Sequence, residues 1–117
     1  MPTIRELVAA IGQRDGVEAA VVLGHDGLLI DGHTTGTLDA ERLAALAPGI
    51  VAAATEFSGE CSRGALVSAV LEYERGIALI SSLTADAMLL VLVHPSANVG
   101  SLLYELRRHR GHIASIV

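Results

Sequence analysis

The spacing of apolar residues changes several times along the chain, and each change marks an element. Ile4, Leu7, Val8 and Ile11 recur at three- and four-residue steps up to Gly12, which is helical spacing. Thr3 and Glu6 stand ahead of them at capping-box spacing. From Gly16 the pattern alternates through Val17, Ala19, Val21 and Leu23, breaks at Gly24-His25-Asp26-Gly27, and resumes at Leu28 to Ile30 before Asp31-Gly32. Two strands joined by a tight turn are expected, because Asp-Gly supplies the positive backbone angles of a hairpin. Thr34 to Thr37 carry no periodicity, and Asp39 then stands where a helix N-cap belongs.

The stretch Asp39 to Phe57 organises the rest. Leu43, Leu46, Ala47, Ile50, Val51, Ala54 and Phe57 form one helical stripe, which is expected to lie on a sheet, since a lone helix gains too little without tertiary burial. Ala40, Ala44, Ala45, Ala52 and Ala53 fall largely outside that stripe. Such a flank admits close approach of a second helix; equally, alanine is the best helix former and suits a face turned to water. Pro48 removes a backbone donor inside this pattern, so a kink near Ala44 or a later helix start is expected.

Ser58 to Gly64 read as a polar connection. Ala65 to Tyr73 and Ile77 to Leu83 then form an antiparallel pair about Glu74-Arg75-Gly76, and Thr84-Ala85-Asp86 turns into the run Ala87 to Val93. That run is apolar at every position, so it must be covered on both faces or lie beside an interface. Pro95 ends it, and Asn98 opens a last helix with Val99, Leu102, Leu103 and Leu106 inward. The predicted order is α-β-β-α-β-β-β-α: an α+β fold with one antiparallel sheet of five, the central helix on one side and the terminal helices on the other. Strand order stays open at this point. Nothing divides residues 1–117 by composition or linker, so one domain is expected.

Composition sharpens this picture. Hydrophobic residues make up 51% of the chain but aromatics only 3%, so the interior is aliphatic, and so much apolar content on a small domain favours a patch hidden in an oligomer. The net charge of −5 and the lack of basic-aromatic interleaving argue against a nucleic-acid partner. Cys61 is the single cysteine, which excludes an intrachain disulfide and suits a reducing compartment. The amphipathic first residues do not resemble a secretory signal, and no run approaches the roughly 20 residues of a membrane span. A soluble, cytoplasmic protein without an integral membrane segment is expected.

Candidate chemistry is sparse. His109 and His112 have helical metal-ligand spacing without an evident third ligand; cationic groups at a helix end are favoured by the dipole in any case. Cys61 with His25 or His33 has nothing to orient a nucleophile pair. Gly24, Gly27 and Gly32 are followed by a strand and no Gly-Lys-Ser/Thr, so they are no phosphate loop. Arg107, Arg108 and Arg110 cluster at a helix end, and Arg63 and Arg75 flank the first strand of the meander; all read as surface charges. No catalytic residue, metal or cofactor is expected.

Gly16-Val17-Glu18-Ala19-Ala20-Val21-Val22, Asp26-Gly27-Leu28, the long Ala-rich helix and Asn98-Val99-Gly100, taken in that order and spacing, resemble the roadblock/LC7 family across nearly the whole chain. The resemblance implies a roadblock/longin/profilin-like fold and a homodimer in which central helices pair and middle strands join edge to edge. Ala44, Ala45, Ala52, Ala53, Leu71 and Tyr73 are then the expected dimer or partner contacts, and glutamate at Ala45 or Ala52 is expected to disrupt the dimer. It also implies a regulator or scaffold of a small Ras-like GTPase, as the gliding-motility GTPase-activating protein is, acting without an inherited catalytic residue. The alternative is a profilin-like small-molecule sensing module, in which the sheet and a terminal helix enclose a ligand. Because the chain ends soon after its last helix, contacts that need a C-terminal extension are not expected.

Overall fold

The computed structural model describes residues 3–108. Thr3 caps α1 (Ile4–Gly12), its hydroxyl accepting from the Glu6 N–H at 3.1 Å. The hairpin follows as β1 (Val17–Gly24) and β2 (Leu29–Thr34), with Gly27 at φ +84° in the turn and Asp26 Oδ1 accepting from Leu28 N–H at 3.0 Å. Asp39 caps α2 (Ala40–Cys61), its carboxylate accepting from the N–H groups of Glu41 and Arg42. The meander is β3 (Ser68–Tyr73), β4 (Gly76–Ser82) and β5 (Ala87–Val93), and α3 (Val99–Arg108) closes the described chain. Asn98 Oδ1 accepts from Ser101 N–H at 2.9 Å at the start of α3.

The strands form one antiparallel sheet in the order β2-β1-β5-β4-β3. This explains the wholly apolar run Ala87–Val93: it is the central strand, flanked by β1 and β4, with residues from both sides in the core. Ala20, Val22, Leu79, Leu89 and Val91 face α1 and α3, while Val21, Leu23, Ile80, Met88 and Leu90 face α2. The predicted sandwich is therefore present, with α2 the one described helix on its side.

Several boundaries differ from expectation. α2 runs on to Cys61, into the stretch Ser58 to Gly64 expected as a polar connection, and β4 is Gly76–Ser82 instead of Ile77 to Leu83. β2 runs through Asp31-Gly32 instead of ending there, because Gly32 pairs with Val21 and leaves room for Ala40; a Cβ at Gly32 would stand 3.0 Å from the Ala40 Cβ. β3 starts at Ser68 and not at Ala65, although the Val67 carbonyl already accepts from Ser82 N–H at 3.4 Å.

The largest correction concerns the roll of α2. The small residues Ala44 and Ala47 are buried against the sheet, with Ala40, Leu43, Ile50 and Val51 packed beside them, whereas Leu46 and Phe57 are 53% and 72% exposed. Small side chains at the contact let the helix approach β1 and β2 closely, and Gly27 sits against the helix backbone with its would-be Cβ 3.5 Å from Ala45 Cα. Nor does the helix start late: it begins at Ala40 and runs through Pro48. Removing the Asp39 cap by Asp39→Ala is expected to lower stability by about 1 kcal/mol, read as a shifted denaturation midpoint at fixed protein concentration.

Candidate partner-binding groove

The roll of α2 displaces an apolar stripe sideways. Leu46, Ile50, Ala53, Ala54, Phe57 and Cys61 follow one another at helical spacing along the flank of α2 nearest β3. On β3, Ala69 pairs with Ile80 and therefore shares the α2 face, as do Leu71 and Tyr73 two and four residues on. Between the two elements lies a groove of about 1120 Å³. Its only charged lining residue among those described is Arg63.

Large apolar side chains stand open along it. Phe57 is 72%, Tyr73 56% and Leu46 53% exposed, although the chain has few aromatic residues to spend on its surface. The groove adjoins the outer edge of β3, where Val70 is 46% exposed.

Of the expected contact residues, Ala53, Leu71 and Tyr73 line this groove. Ala44 does not: it is wholly buried against the sheet and cannot meet a partner. Ala45 and Ala52 are exposed but lie on the far flank of α2, outside the groove lining. The sequence pattern missed Leu46 and Phe57 as surface residues, having read them as inward with the rest of their helical stripe.

Other candidate chemistry is dispersed. Cys61 lines the groove, while His25 lines a separate cavity of about 200 Å³ with Thr55, Ser82 and Met88. His33 lies on the opposite face of the sheet, against Gly12 at the end of α1. Neither histidine is brought to the thiol. Arg14 and Glu105 form an ion pair that ties the end of α1 to α3, beside a cleft of about 470 Å³ lined by Val17, Val93 and Leu102 as well as Asn98 and Ser101. Arg63 is in the groove, whereas Arg75, Arg107 and Arg108 are exposed. His109, Arg110 and His112 lie outside the described residues. Among those described, no group of three or more metal-capable side chains occurs, and no helix is long and apolar enough to cross a membrane.

A five-stranded sheet between helices in this order defines a roadblock/longin-type α+β fold. The chain belongs to the Roadblock/LC7 domain family, whose pattern matches residues 3–93. An uncharacterized protein from Methanocaldococcus jannaschii is 30% identical over 105 residues, covering 90% of this chain and 88% of that one. The Roadblock/LC7 domain from Streptomyces avermitilis superposes with a TM-score of 0.84 at 24% identity, over 96% of this chain and 95% of that chain. Myxococcus xanthus MglB superposes with a TM-score of 0.85 at 16% identity, over 97% of this chain and 93% of that chain.

Proposed function

We propose that this protein is a homodimeric regulator of a small Ras-like GTPase, working through binding surfaces and not through catalytic residues of its own. The observation that carries the reading is the apolar groove between α2 and β3 beside an open sheet edge. An exposed apolar surface of this kind on a small domain is a mark of an interaction site.

The two edges of the sheet are not equivalent. On β2, Val22 pairs with Asp31 and Leu23 with Leu29, so Ile30 is an extra, bulged residue. Such bulges disfavour pairing with another strand. β3 pairs with β4 without a register break from Ser68 to Tyr73 and contains no proline. Its outer side supports edge-to-edge joining with a second copy, and the same union would cover the groove.

The GTPase partner rests on membership of the family and on the likeness of the chain to the gliding protein MglB. We place the whole chain, residues 1–117, in one cytoplasmic domain that either stimulates hydrolysis or localises the GTPase. The deciding experiment is single-turnover GTP hydrolysis by a Ras-like GTPase from the same source, with and without excess protein, together with binding to its GDP- and GTP-loaded forms. Faster hydrolysis is the expected result for an activator, and nucleotide-dependent binding without acceleration for a localising factor. Absence of both would sink the GTPase reading and favour the ligand-sensing alternative.

A further inference from the structure

We propose that the cavity between the later turns of α2 and the adjoining ends of β4 and β5 is a binding site for a small uncharged amphiphile, an aliphatic chain with one hydroxyl or carbonyl head. The site is separate from the proposed contact between copies and does not depend on it.

The cavity arises where the inward stripe of α2 changes character. Ala44, Ala47 and Val51 pack on the sheet, and the next position of that stripe, four residues on, is Thr55. Across from it, Ile80 and Ser82 share one face of β4, being two residues apart, and Met88 of β5 pairs with Ser82. Both flanks are loops pinned by hydrogen bonds. His25 donates its N–H to the Asp86 carbonyl at 3.2 Å, which ties the β1–β2 turn to the β4–β5 turn. On the other flank Ser58 Oγ donates to the Gly64 carbonyl and Ser82 N–H to the Val67 carbonyl, which fixes Ala65 and Leu66 between α2 and β4. About 200 Å³ lies within these walls.

Polarity is divided by depth. Ile80 and Met88, each 1% exposed, form the floor, whereas His25 and Thr55 are exposed at the mouth and Ser82 is half-buried. The side chains of His25 and Thr55 make no hydrogen bond among the described residues, and Ser82 Oγ makes a long one, 3.5 Å to the Thr84 carbonyl. Groups able to donate or accept thus stand uncommitted around an apolar hollow.

Water is a poor occupant of the floor, since a buried water needs about two to four polar partners and Ile80 and Met88 offer none. The volume is the share of roughly seven water molecules at ~30 Å³ each, so the occupant has about seven non-hydrogen atoms and is smaller than a drug-sized ligand. Among the described residues, no Asp, Glu, Lys or Arg lines the cavity. A charged head would lack a partner there, and Asp26 and Asp86, in the turns beside His25, further oppose an anion. A hydroxyl or carbonyl head satisfies the polar mouth while its chain covers Ile80 and Met88.

The chain has two methionines, Met1 and Met88, so carbon-13 labelling of the methionine methyls in the full chain puts one reporter in the floor and one outside it. The probe is 1-hexanol, a straight chain with one terminal hydroxyl. A saturable shift of the Met88 methyl with Met1 unmoved is the expected result. Hexane-1,6-diol, which carries a hydroxyl at both ends and must bury one of them on the floor, should bind about ten-fold more weakly. Thr55→Val should weaken 1-hexanol about three- to ten-fold, and Thr55→Ser, which keeps the hydroxyl, should not. Ala65→Leu, at an exposed position of the wall, fills the space and should abolish the shift. No saturable shift at Met88 in the wild type would overturn the site, as would equal affinity for the alcohol and the diol. Shifts at Tyr73 with Met88 unmoved would place the alcohol in the groove and overturn it equally. If Thr55→Val and Thr55→Ser bind alike, the head does not use this hydroxyl and its assigned orientation falls.

Discussion

Ala53→Glu is expected to convert the protein to a monomer while leaving its fold intact. Ala53 is exposed in the isolated chain and lines the groove between α2 and β3, so the monomer accommodates glutamate at little cost, and alanine-to-glutamate changes helix propensity only slightly. In the proposed dimer each copy would carry an unpaired carboxylate into a dry contact. Such burial costs several kcal/mol per charge, and about 3 kcal/mol is already about 100-fold in the dissociation constant. Ala52→Glu is the control. Its side chain lies on the other flank of α2, outside the groove, and it should leave association within about two-fold of wild type. Mass measured over a dilution series separates the two variants. If both remain dimeric the groove is not the contact, and if Ala52→Glu alone dissociates, the contact lies on the other flank of the helix.

A second large effect is expected in the centre of the sheet. Leu89 is fully buried in β5, among the residues that face α1 and α3. Leu89→Ala removes its packing from a strand held on both sides by neighbours, where the surroundings have little freedom to collapse into the space. The expected loss is about 3 kcal/mol, a large share of the stability of a domain this size. Chemical denaturation at a concentration where wild type and variant are in the same assembly state would show it. A loss below about 1 kcal/mol would mean that the two layers repack around the gap. The side chain is remote from the α2 groove, so association per folded molecule should be unaffected.

Much of the architecture was legible because local chemistry and hydrophobic period agree. Thr3 and Asp39 cap the helices their spacing announces, Gly27 takes the positive φ its turn requires, and Ala87–Val93 is a strand with the bounds its apolar run indicates. Strand order was not legible. An apolar run states that both faces are covered, but says nothing of which strands lie at its edges; that β5 inserts between β1 and β4 is a tertiary choice.

The groove was half legible for a related reason. Alanine is accepted equally at a buried contact and on a wet surface, so Ala44 and Ala45 look alike in sequence, yet one is fully buried and the other exposed. Leu46 and Phe57 appeared to belong inside because burial is the default for such side chains. They are exposed in the single chain, where nothing among the described residues covers the groove side of α2. Of the two outcomes expected from Pro48, the later start does not occur: the helix begins at Ala40 and continues through the proline.

The bulge at Ile30 has a bearing on how large an assembly can grow. A sheet with two receptive edges is a monomer for a filament, since each addition leaves a fresh edge behind, and open strand pairing of that kind leads towards fibres. Here the extra residue spoils one edge and leaves the other regular. In the proposed dimer, joining two regular edges would consume both, and the ends of the resulting ten-strand sheet would be the spoiled ones. Growth by strand addition would then terminate at two copies, and an aliphatic chain with an adhesive border would remain a discrete particle.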